Sequence, residues 1–121
     1  MLGTDLDPVA LEAARKNLDA AGFGAELTLA DACTHVAGSL DLVITNPPLG
    51  SRVRLDAAAL LVESLPNFVR PLAPGGRVVW ITPAPSKTTP IAEHLGLRRV
   101  RAHSVDLGGV RGQLERWDAR S

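Results

Sequence analysis

Apolar positions recur along this chain with two different periods, and the switches between them lay out its elements. Leu11, Ala14, Leu18 and Ala21 fall on one face at helical spacing. Asp7 stands where a side chain can cap the free amides, Pro8 suits the first helical position, and Gly22 suits a left-handed C-terminal residue. Together they predict a helix over 8–21. Before it, residues 2–6 read as a short strand. After it, "ELTLA" (Glu26 to Ala30) alternates with the two-residue period of a strand.

Leu42, Val43, Ile44 and Thr45 form a nearly continuous apolar run, the pattern of a parallel strand covered on both faces. Pro47 and Pro48 end it, because neither can donate to a ladder. Residues 55–72 read as helix, with Pro66 marking a kink or the start of a second segment. "APGG" (Ala73 to Gly76) predicts a turn and "RVVWIT" (Arg77 to Thr82) another buried strand. A proline-broken loop then leads to a short helix over 90–95. "LRRVRAHSV" and "GQLERWD" flank "DLGGV", which predicts a final antiparallel hairpin turning near Gly108 and Gly109. Strands alternating with helices make this an α/β chain, with an open, mostly parallel sheet, right-handed crossovers and a C-terminal antiparallel hairpin.

Composition adds bounds. At 121 residues and 45% apolar content the chain reads as one domain with a real core. No run of 18 apolar residues occurs, so no transmembrane helix is expected; Met1 opens without a basic and then apolar leader, so no signal peptide is expected. The single cysteine, Cys33, allows no internal disulfide, and His35, His94 and His103 are too scattered for a metal site or a triad. A reducing cytoplasmic setting without membrane or metal partners is the expectation. The zero net charge hides an asymmetry. Residues 1–50 carry seven acids and two bases, a net −5, whereas residues 51–121 carry six acids and eleven bases, a net +5. A basic second half can face phosphates, or can simply be solvated. Within it, strand alternation predicts Arg99 and Arg101 on one face and Arg98 on the other.

In an open α/β sheet, ligands bind beyond the carboxyl ends of the strands. Three strands here end in an acid or an amide: Asp5, Asp31 and Asn46. A carboxylate at Asp5 can accept both hydroxyls of a ribose, and Asp31 can accept from an adenine amino group or can begin a turn. The run Asn46-Pro47-Pro48 carries sharper chemistry. A primary amine conjugated to a π system is a poor nucleophile unless its hydrogens are engaged and its lone pair is aimed. An asparagine oxygen can accept one hydrogen, and a backbone carbonyl fixed by the prolines can accept the other.

"GTDLDPVALEAARKNLDAAG", "LADA", "DLVITNPPLGSRV" and "LAPGGRVVWITP" resemble successive motifs of class I S-adenosylmethionine-dependent methyltransferases of the amino-methylating branch, in order and spacing, up to about residue 85. Within that branch, Gly50 and Arg52 resemble the RNA guanosine-N2 methylases often fused to a THUMP RNA-binding domain. The resemblance implies a Rossmann-like fold with S-adenosylmethionine as cofactor and tRNA or rRNA as partner. It implies that Asp5 and Leu6 hold the cofactor ribose, that Asp31 and Ala32 contact its adenine, and that Asn46 borders the cofactor. It also implies that Asn46, Pro47, Pro48 and Leu49 grip the target amine.

Two positions depart from the family pattern. Leu49 stands where the family usually has Tyr or Phe, so an aromatic stacking contribution of about 1–3 kcal/mol per base is missing. No "GxGxG" precedes Asp5, so residues 1–121 read as a partial catalytic domain lacking the first strand and its glycine-rich loop. A fragment, a misjudged start, or a remnant completed by direct pairing or by dimerisation are the open readings, and weak or undetectable cofactor binding by the chain alone is the expectation. The same grip also serves adenine N6 and protein glutamine amides, and a non-catalytic structural module is the rival of a different class.

Overall fold

The computed structural model describes residues 1–46, 57–109 and 111–120. The chain forms two compact units, residues 1–35 and 36–121.

In the first unit, β1 (Leu2–Asp5) pairs in parallel with β2 (Glu26–Leu29), joined by α1 (Pro8–Ala21). The helix has the predicted ends. Asp7 accepts a 2.9 Å hydrogen bond from the Val9 amide, Pro8 follows it, and Gly22 closes the helix at φ +78°. Gly3 lies opposite Leu27, and a Cβ there would meet the Leu27 Cδ2 at 2.8 Å, so a larger residue would require the leucine side chain to shift. Leu11, Ala14 and Leu18 are half-buried, yet no residue of this unit is fully buried.

The second unit holds the buried core. β3 (Leu40–Thr45) is followed by α2 (Ala57–Val69), β4 (Leu72–Thr82), α3 (Pro85–His94), β5 (Leu97–Asp106) and β6 (Arg111–Ala119). The sheet order is β3-β4-β6-β5, parallel between β3 and β4 and antiparallel for the rest. The expected hairpin is β5–β6; Gly108 and Gly109 both have positive φ at its turn, where Asp106 Oδ1 accepts from the Gly109 amide at 2.8 Å. Val78 and Trp80 of β4, Trp117 of β6 and Leu97 of β5 form one buried cluster with Leu65 of α2 and Ala92 of α3. Burying two indoles, each about 150–250 Å², makes this cluster the main apolar stabilisation of the unit.

Several expectations are corrected. Among the described residues β3 is covered on one face only: Val43 packs against the core, whereas Leu42 is 50% and Ile44 71% exposed. β3 is an edge strand of its sheet, and the core of this unit is built against the opposite face. α2 ends at Val69 rather than Leu72, because Pro71 cannot donate and Leu72 already pairs with Leu40; Pro66 lies inside one continuous helix. The "APGG" turn is an irregular stretch within β4, where Leu40 pairs with Leu72 but Leu42 with Arg77. α3 begins at Pro85, five residues before the expected start. The Thr82 hydroxyl accepts from the Ala84 amide at 3.2 Å and meets the Thr88 hydroxyl at 3.0 Å, so a buried pair of threonines anchors the first turn.

Candidate functional site

Of the residues expected to carry chemistry, Asp5 is the last residue of β1, and Asp31 and Asn46 stand just beyond β2 and β3. β1 and β2 run parallel, with Asp5 opposite Leu29 and the Ala30 amide donating to the Asp5 carbonyl at 3.0 Å. Asp5 and Asp31 therefore follow the same, carboxyl-terminal edge of this pair.

Asp5 is exposed, and its Oδ1 accepts from the Asp7 amide at 2.9 Å. That bond orients the carboxyl without consuming it. Its second oxygen takes no hydrogen bond from the described residues, and a carboxylate has about four lone-pair sites. Capping of α1 falls to Asp7, so the two acids divide their tasks: Asp7 serves the helix, and Asp5 faces outward at the strand end.

Asp31 is half-buried. Its Oδ1 accepts from the Cys33 amide at 2.8 Å, and its carbonyl accepts from the Thr34 and His35 amides at 3.1 and 2.8 Å. It thus begins a turn, as one of its two expected roles required, and the turn holds the carboxylate at the edge. Ala32 is half-buried beside it and Leu6 is 66% exposed beside Asp5. An acceptor-only carboxylate with an unengaged oxygen has the chemistry to accept from a vicinal diol.

Asn46 follows β3 directly, at its carboxyl end in the second unit, and is exposed. Pro47, Pro48 and Leu49, with Gly50 and Arg52, lie outside the described residues. No helix among the described residues is long and apolar enough to cross a membrane. Among the described residues no group of three or more His, Cys, Asp or Glu side chains could hold a metal ion.

The second unit carries a site of another kind that sequence reasoning missed. Glu115 is 1% exposed and accepts from Trp80 Nε1 at 2.9 Å, Trp117 Nε1 at 3.1 Å, Gln113 Nε2 and Arg99 Nη1 at 3.3 Å. Four donors satisfy one buried carboxylate. The signal was present in "GQLERWD", where Glu115 shares its strand face with Trp117. The arginines of β5 are also sorted differently from the expectation. A bulge between Arg99 and Arg101 resets the alternation, so Arg98 pairs opposite Asp118 and Arg101 opposite Arg116, on one face. Arg99 takes the other face, 5.9 Å over the Trp117 ring.

Comparison with known proteins agrees with this architecture. Residues 1–113 match the model of the family described as UPF0020: RMKL-like, methyltransferase domain. The chain is 30% identical, over 98% of its length, to a ribosomal RNA large subunit methyltransferase K/L of Syntrophotalea carbinolica, and covers 17% of that protein. It is 34% identical, over 66% of its length, to a ribosomal RNA small subunit methyltransferase C of Chromohalobacter salexigens, covering 24% of it. The chain thus spans about a fifth of the length of these two relatives. Among solved structures, TrmN from Thermus thermophilus superposes with a TM-score of 0.77 at 26% identity over 98% of this chain and 36% of that one. The N-methyltransferase NodS from Bradyrhizobium japonicum, in complex with S-adenosyl-L-homocysteine, gives a TM-score of 0.78 over 99% of this chain and 66% of that one; at 18% identity the likeness is one of fold.

Proposed function

Because this chain belongs to the RMKL-like methyltransferase domain family, we propose that it forms part of an S-adenosylmethionine-dependent RNA methyltransferase whose target is an exocyclic amine, guanine N2 of rRNA or tRNA. The observation that carries the reading is the family match over residues 1–113, which runs through all three strand-end residues, Asp5, Asp31 and Asn46. The relatives named for ribosomal RNA methylation support RNA as the substrate class.

When bound, the cofactor supplies an electrophilic methyl on a sulfonium. Asp5, oriented by the Asp7 amide, would accept the ribose hydroxyls, with Leu6 against the sugar. Asp31, held by its turn, would accept the adenine amino group, with Ala32 beside the ring. The side-chain oxygen of Asn46 would accept one hydrogen of the target amine, and carbonyls of the Pro47-Pro48 stretch the other. Holding both hydrogens in fixed directions leaves the nitrogen lone pair free to point at the methyl, so positioning replaces a general base. Leu49 would pack on the target base without the stacking of an aromatic ring.

The test is to incubate the protein with methyl-labelled S-adenosylmethionine and with tRNA or rRNA, then digest the RNA to nucleosides. Label in N2-methylguanosine, abolished by Asn46→Ala, is the expected result. Label in N6-methyladenosine, or in a glutamine of added protein, would move the reading to the corresponding amine. Absence of label in all three would support the non-catalytic module.

A further inference from the structure

The bulge in β5 gathers positive charge on the sheet face turned away from the buried core. Arg98 and Arg101 stand opposite Asp118 and Arg116 of β6, and Arg77 of β4 stands opposite Asp118 from the other side. His103, opposite Leu114, continues the same row. Among the described residues this face therefore carries four arginines, Arg77, Arg98, Arg101 and Arg116, against one aspartate.

The aspartate is already matched. Arg116 grips both oxygens of Asp118, at 3.0 and 2.9 Å, and Arg77 reaches it at 3.5 Å. Arg98 and Arg101 are exposed and form no ion pair with the described residues. Beside them, Arg98 and Arg120 line a shallow depression of about 330 Å³ with Gly75, Asp118 and Ala119. Arg99 stands on the other face of β5, where it pairs with Glu115 and lies over the Trp117 ring.

We infer that this open face of β5 and β6, led by Arg98 and Arg101, is a docking surface for the phosphate backbone of RNA. The inference rests on the RNA reading above and adds the surface that holds the substrate away from the reacting base. Charge complementarity selects the partner. Unpaired guanidinium forks match phosphate oxygens two at a time. Successive side chains on one face of a strand are roughly 7 Å apart, the scale of the step between adjacent phosphates. Phosphate contacts of this kind position a nucleic acid without reading its sequence.

The experiment is fluorescence anisotropy of a labelled RNA stem-loop titrated with the full chain at several salt concentrations. Arg98→Glu/Arg101→Glu is expected to weaken binding at least about tenfold and to flatten the slope of log K against log salt by roughly 1.5, the share of two phosphate contacts. Arg98→Lys/Arg101→Lys keeps the charges and loses the forks, so it is expected to keep the salt slope and to weaken binding less than the glutamate variant does, and Arg99→Ala is expected to leave the slope unchanged. Equal affinity and slope for wild type and the glutamate variant would overturn the inference while leaving the RNA reading intact. An acidic peptide that displaces the RNA at equal charge concentration would overturn it in favour of a protein partner. No RNA binding by the wild-type chain would overturn this inference, and the methyl-transfer assay then decides separately whether the RNA reading falls with it.

Discussion

The indole Nε1 of Trp80 donates a 2.9 Å hydrogen bond to Oε1 of Glu115, the residue directly opposite it on the neighbouring strand, and both side chains are withdrawn from solvent. Trp117 donates to the same oxygen at 3.1 Å, and the two rings lie 5.8 Å apart at a 39° tilt. One carboxylate oxygen thus fixes the orientation of the two largest core side chains. Glu115→Ala would leave two buried N–H groups without acceptors, and the expected cost is about 2–4 kcal/mol. Arg99→Ala takes the cation from the buried carboxylate but leaves it three donors, Trp80, Trp117 and Gln113, so it should cost less, about 1–2 kcal/mol. Urea unfolding at unchanged m-value checks the contrast. Equal midpoints for the two variants would show that the ion pair, and not the indole acceptor, sustains the core.

Asp118 gives the second unit a pH dependence of definite sign. Its carboxyl is held below the usual carboxylate range, chiefly by the hydrogen bond from Arg116; burial opposes this, and the charges of Arg116 and Arg77 add to it. A carboxyl depressed in the folded state contributes stability that is fully present above its unfolded value, about 3.9. That contribution is lost as pH falls through the lower folded value. Asp118→Asn should therefore lower the thermal midpoint at neutral pH, and the gap to wild type should close below about pH 4. A gap that stays constant down to acid pH would exclude this linkage.

The parts of the fold legible in the sequence were those fixed by local chemistry. Asp7, Pro8 and Gly22 bound α1, and the paired glycines 108 and 109 mark the hairpin. What escaped was decided at long range. Glu115 meets Trp80 across 35 positions of sequence, and a charged residue in a strand reads as solvated until its partners are known. The start of α3 combines Pro85 at the first helical position with the buried Thr82–Thr88 pair, whose partners lie six positions apart. The faces of Arg98, Arg99 and Arg101 turn on a bulge that no alternation rule reveals. At the candidate site, the strand-end positions of Asp5, Asp31 and Asn46 were legible because strand ends are local. The capping role of Asp7 was legible as well, and the hydrogen bonds add that the Asp7 amide donates to Asp5.

The two units should differ in local stability. The first has no fully buried residue, and its sheet has only two strands. A 14-residue helix on such a base is marginal. Native-state hydrogen exchange should show the amides of Val78, Trp80 and Trp117 opening only with global unfolding. Amides of α1 should exchange at least about tenfold faster, through local opening. Uniform protection across both units would contradict this and mark the chain as one cooperative structure.

The neighbouring acids Asp5 and Asp7 offer the sharpest separation of ligand binding from folding. Asp7→Ala removes the acceptor of the Val9 amide and should cost about 1 kcal/mol of helix stability, visible as reduced helicity by circular dichroism. Asp5→Ala leaves that cap in place and removes the outward carboxylate, so helicity should hold while affinity for S-adenosyl-L-homocysteine falls roughly tenfold or more, the scale of a lost charged hydrogen bond. Calorimetric titration of both variants beside the wild-type chain, at protein concentrations high enough to register weak binding, reads the difference. If Asp7→Ala weakens the ligand as much as Asp5→Ala does, the Asp5 carboxyl has no contact of its own. The strand-end assignment would then reduce to the integrity of α1.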